Sequence, residues 1–78
     1  MSVHGLDVVV LNEDTPAHGL RQSDLGTVVE IYTPEALEVE FVTASGRTQA
    51  LVTLQRTAVR EVGDDEIIAV RPTHRLDF

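Results

Sequence analysis

The segment Leu37-Glu38-Val39-Glu40-Phe41-Val42 alternates strictly at its first five positions between an apolar and an acidic side chain. Only an extended chain, whose side chains repeat every two residues, gathers Leu37, Val39 and Phe41 on one side and sends Glu38 and Glu40 to the other. The segment is therefore expected to be a half-buried antiparallel strand, and the rest of the chain must supply strands to pair with it and apolar groups to cover its inner face. Gly26-Thr27-Val28-Val29-Glu30-Ile31-Tyr32 is almost wholly β-branched or aromatic after its glycine and predicts the preceding strand, joined through a turn at residues 33–36. On the other side, Ala44-Ser45-Gly46-Arg47 predicts a hairpin turn in which Gly46 takes a positive φ, leading into a strand over residues 48–54.

Two further strands are expected at residues 7–11 and 59–62, with a single helical turn over residues 55–58. Between the first two strands lies a long polar loop, residues 12–24, containing Pro16 and Gly19. Loops of that length in a small domain either pack against it or bind something. Gly63-Asp64-Asp65 breaks the chain, and residues 66–71 read as a last strand before a tail, 72–78, whose Leu76 and Phe78 could anchor it. That last strand is expected to close the sheet, to exchange between protomers, or to add to a partner's edge; packing on its own domain is favoured. The whole is an all-β chain of five or six antiparallel strands, with a long loop after the first and one short helical turn. With 78 residues there is room for one domain over 1–78, with a core at about 6–62 and a terminal strand and tail at 63–78. A small closed or half-open barrel fits better than a two-layer sandwich, because closure removes edges and the residues for a second sheet are lacking.

Charge narrows the partners. Residues 1–44 carry eight acids against Arg21 alone, whereas residues 45–78 carry five acids and five arginines, so the net charge of −7 belongs entirely to the first half. Such a field repels phosphates and attracts basic surfaces, which argues against nucleic acid and anionic membranes. There is no cysteine, so neither a disulfide nor a thiolate metal site is expected. The first residues lack a basic start and an apolar run, and no stretch reaches the ~20 apolar residues of a membrane span, so a cytoplasmic location is expected.

The pattern Glu13-Asp14-x-Pro16-x-His18-Gly19-Leu20, then Asp24-x-Gly26-Thr27-Val28-Val29-Glu30, then Glu38-Val39-Glu40-Phe41, then Gly46-Arg47-Thr48, resembles a widespread family of short bacterial proteins catalogued as a domain of unknown function. The resemblance implies an SH3-like barrel and, more loosely, a place beside toxin-like nuclease genes. Where that family usually has a glycine before the loop aspartate, this chain has Ser23, which would be strained if the position needs a positive φ. Residues 26–29 also resemble the glycine-valine core of KOW-type barrels, many of which bind RNA. The acidic balance and the scarcity of aromatics, Tyr32, Phe41 and Phe78 only, argue against that activity here.

Among candidate sites, His18, Ser23 and Asp24 share one loop and could be read as base, nucleophile and orienter, but loop-forming roles account for all three and no nucleophile motif surrounds Ser23. The chain is not expected to be an enzyme. His4, His18 and His74 have no metal-ligand spacing, and neither metal nor cofactor is expected. The best candidate is acidic: Glu30, Glu38 and Glu40 on one outer surface, extended by Glu13, Asp14 and Asp24 from the loop. That surface either keeps the chain soluble or docks a basic protein by imitating phosphates. The functional expectation is a non-catalytic protein-binding module, in its sharpest form an antitoxin or immunity protein neutralising a basic nuclease toxin. The alternative is a small structural or accessory subunit that associates with a larger complex by strand pairing, and a homo-oligomer is compatible with either.

Overall fold

The computed structural model of the protein describes residues 7–63, 65–67 and 71–72. Within them the chain forms β1 (Val8–Leu11), β2 (Leu25–Thr33), β3 (Ala36–Val42), β4 (Thr48–Gln55) and β5 (Val59–Glu61), with two 3-10 turns at Pro16–His18 and Arg56–Ala58. Every ladder is antiparallel and the strand order is β4-β3-β2-β1-β5, the order of an SH3-like barrel. The five strands expected over residues 7–62 are each found to within one residue at either end. Of the expected strand at 66–71, residues 68–70 lie outside the described residues, and Glu66, Ile67 and Arg71 belong to no strand. Leu76, Phe78, His4 and His74 also lie outside the described residues.

The alternation in β3 places its apolar residues inside. Leu37, Val39 and Phe41 are buried together with Val9, Leu11, Leu20, Val28, Val52 and Val59, and Ala50 and Leu54 pack against this cluster. Glu38 and Glu40 stand on the opposite face. Gly26 is built into the same core: a Cβ there would lie 2.5 Å from Val39 Cγ1 and 2.8 Å from Phe41 Cε2. The glycine lets the Phe41 ring lie directly on the β2 backbone.

Between β2 and β3 the register slips twice, between Val28 and Glu30 and between Ile31 and Thr33. Each extra residue bends and twists the strand, so the sheet coils over its own core. The coiling stops short of a hydrogen-bonded seam. Among the described residues β4 and β5 are the two edges of the sheet, and no ladder joins them. The barrel is half-open, one of the two forms expected, and its edges remain among the described strands.

The long loop is ordered, as a packed loop should be. Pro16 starts a 3-10 turn that ends at Gly19, in the left-handed region at φ 69°, and the Gly19 amide donates to the Pro16 carbonyl at 3.1 Å. Thr15 and Leu20 exchange backbone hydrogen bonds of 2.9 and 3.2 Å, which drives the Leu20 side chain into the core. The loop closes on β1 where the Ser23 amide donates to the Leu11 carbonyl and the Leu11 amide to the Asp24 carbonyl, at 2.7 and 2.9 Å. Ser23 holds φ 78°, the one positive φ outside glycine among the described residues. A left-handed non-glycine residue costs about 1 kcal/mol. Ser23→Gly is accordingly expected to raise stability by about 0.5–1 kcal/mol, read as a higher denaturant midpoint at unchanged slope.

Candidate outer-face binding surface

The outer face of the sheet is assembled by register. Glu30 stands directly across from Glu38, and Glu40 follows two residues along the same side of β3, opposite Thr27 on one flank and Leu51 on the other. The strand bonding therefore brings Glu30, Glu38 and Glu40 into one acidic stripe, as the alternation predicts. Among the described residues no cation pairs with any of the three. Glu40 and Glu38 have hydroxyls beside them: Thr48 Oγ1 donates to Glu40 Oε2 at 2.6 Å, and the Tyr32 phenol lies next to Glu38. Hydrogen bonding to Glu38, with the nearby charges of Glu38 and Glu30, pushes the Tyr32 phenol above its ordinary value.

Beside the acids the same face carries exposed apolar side chains: Val8, Val42 and Leu51 are each about half exposed. A shallow groove of about 620 Å³ runs there, bounded by Val8, Leu25, Thr27, Glu40, Val42 and the end of the long loop. Alternation could have pointed to Val42, which follows Phe41 and so faces outward. The apolar border built by β1, β3 and β4 together is a product of pairing and carries no local signal.

The loop acids play other parts. Asp14 Oδ1 accepts the Gln22 amide at 2.9 Å, a contact that shapes the loop. Glu13 is exposed and borders no part of the groove. Asp24 lines the groove with Glu40, but both of its oxygens are occupied: Arg71 Nε donates to Oδ1 at 2.8 Å, Arg71 Nη2 to Oδ2 at 2.7 Å, and the Arg21 amide to Oδ2 at 2.9 Å. Burial alone would raise the Asp24 carboxyl, but the Arg71 guanidinium and the Arg21 amide override it and hold it below the ordinary carboxylate value. Arg71 Nη2 also reaches the Gly19 carbonyl at 3.2 Å, so one guanidinium ties the chain beyond β5 to both ends of the loop's second half. A second bidentate pair, Arg60 with Glu66 at 2.7 and 2.6 Å, folds the residues after β5 over Val10, and with the Gly63 amide it depresses the Glu66 carboxyl to about 2.

The loop residues weighed as a catalytic set serve the fold in the same way. The His18 amide closes the 3-10 turn onto the Thr15 carbonyl, the Ser23 amide bonds β1, and the Asp24 carboxylate is held by arginine. No group of three or more potential metal ligands occurs among the described residues, and no helix there is long and apolar enough to cross a membrane.

A family model described as a domain of unknown function, DUF4926, matches residues 6–61, from the edge of β1 to the last residue of β5. The chain belongs to the DUF4926 family. No curated protein and no solved structure matches it. The DUF4926 match covers all five strands and both 3-10 turns, and stops before Glu66 and Arg71, the two residues whose ion pairs fasten the following segment to the sheet.

Proposed function

We propose that this protein is a non-catalytic, cytoplasmic binding module that docks a basic protein partner on the outer face of β2 and β3. The observation that carries this reading is the register of Glu30 on Glu38. Like charges directly opposite each other in a ladder cost about a few tenths to 1 kcal/mol, and among the described residues no ion pair offsets them. A cationic partner would neutralise the stripe, and the half-exposed Val8, Val42 and Leu51 beside it supply apolar area for the contact.

The narrower form of the proposal is an antitoxin or immunity protein covering the phosphate-binding surface of a basic nuclease. Its support is the charge, since a surface built to hold phosphates presents cations that a row of carboxylates can meet. An accessory subunit joined by strand pairing is the second reading, and the two edges that no strand covers among the described residues favour it.

Exchanging Glu30, Glu38 and Glu40 together for glutamine tests the first reading. The partner captured from the native cell is expected to bind the variant about tenfold or more weakly than wild type, with a flatter dependence on salt, while the unfolding midpoint stays level or rises. Equal affinity and equal salt slope for the two proteins would remove the acidic stripe from the interface.

A further inference from the structure

The two edges of the sheet are protected very differently. β5 is three residues long and carries Arg60 and Glu61, two features that discourage another strand from pairing with it. β4 is eight residues long, Thr48-Gln49-Ala50-Leu51-Val52-Thr53-Leu54-Gln55, without a charge or a proline. In a chain where nearly a quarter of residues are charged, this edge carries no charged side chain to deter a partner, and among the described residues no strand pairs with its outer side.

We propose that β4 pairs antiparallel with β4 of a second copy of this chain, about a two-fold axis at Leu51, to give a continuous ten-stranded sheet. The two-fold constrains the register. An axis perpendicular to the sheet keeps outer residues beside outer residues, so the sum of paired residue numbers must be even. Centring on Leu51 sets the largest exposed apolar side chain of β4 against its own copy. Gln49 then faces the partner's Thr53 on the outer side, and Ala50 faces the partner's Val52 on the inner side. The central pairs are thus matched in polarity, Thr48 faces the partner's Leu54 toward the strand end, and no pair within β4 brings two charges together.

Self-repulsion does not forbid this contact. Glu40 is the β3 neighbour of Leu51, so the two copies of Glu40 would stand three strand spacings apart, about 14 Å, beyond the ~8 Å over which exposed charges act at physiological salt. The residues flanking β4 are Arg47 and Arg56, which makes this the least acidic border of a molecule with charge −7. The acidic stripe on β2 and β3 stays open in the pair, and Leu51 is the one side chain common to the dimer contact and the proposed docking face.

A single strand pair buries less than the ~1,200–2,000 Å² of a standard stable interface, so the dimer is expected to dissociate in the micromolar range. Sedimentation of the full chain over a concentration series should show a shift from one copy to two. Leu51→Lys should raise the dissociation constant at least about tenfold with an unchanged dichroism spectrum. Thr53→Lys, on the same exposed row, should do likewise and serves where the first variant folds poorly. Because the chain has no cysteine, register can be read directly. Leu51→Cys should cross-link to itself on mild oxidation, Gln49→Cys alone should not, and a mixture of Gln49→Cys with Thr53→Cys should. A chain that stays monomeric to about 1 mM, a dimer indifferent to lysine at both positions, or self-linking of Gln49→Cys equal to that of Leu51→Cys would each overturn the proposal.

Discussion

Gly26→Ala is expected to lower the thermal unfolding midpoint by roughly 5–20 °C. The added methyl group would sit 2.5 Å from Val39 Cγ1 and 2.8 Å from Phe41 Cε2, closer than side-chain atoms approach. Neither neighbour has room to retreat, since Val39 is fully buried and Phe41 nearly so. Overpacking of this kind costs about 1–3 kcal/mol, a large part of the ~4–12 kcal/mol that a chain this size has in total. The mechanism makes its own control. Val39→Ala opens the space that the new methyl group needs, so the double variant should lose less stability than the two single losses added together. Strict additivity in thermal or denaturant unfolding would mean that the glycine is not held by this contact.

Leu20→Ala is expected to cost about 2–4 kcal/mol, although Leu20 sits in a loop where substitutions are usually mild. Its side chain is buried in the core cluster, and the backbone around it is held by two hydrogen bonds to Thr15. Removing the side chain takes away what pins the middle of residues 12–24 to the barrel. Hydrogen exchange should therefore speed up at the Thr15 and Leu20 amides well before the sheet loses protection. A loss below 1 kcal/mol, with exchange unchanged, would show that the loop is held by its own turns and by Arg71 rather than by the core.

What could be read from residues alone follows from how local each cause is. The face of β3 was legible because Leu37, Val39 and Phe41 alternate with acids, and the hairpin at Gly46 because its φ of 89° needs glycine. Ser23 was legible only through the resemblance, which implies a glycine at that position, and its φ of 78° is the strained geometry that reading implied. In β2 the run Val28-Val29-Glu30-Ile31 hides its inward face, because a bulge shifts the alternation between Val28 and Glu30 and only pairing with β3 reveals it. The acidic stripe was half visible: Glu38 and Glu40 share a face by spacing, while Glu30 joins them through register. Asp24 looked like a free surface acid because its partner, Arg71, is 47 residues away, and no periodicity reports a contact of that range. The residues left open whether β4 and β5 would meet, since closure depends on accumulated coiling rather than on any one residue.

The Arg71 clasp separates two boundaries that are easily taken as one. A polypeptide trimmed to residues 6–61 would keep every strand, yet leave the Asp24 carboxylate with the Arg21 amide and without the guanidinium that clasps it. The stretch by which kinship is recognised is thus shorter than the stretch whose contacts hold the long loop in place.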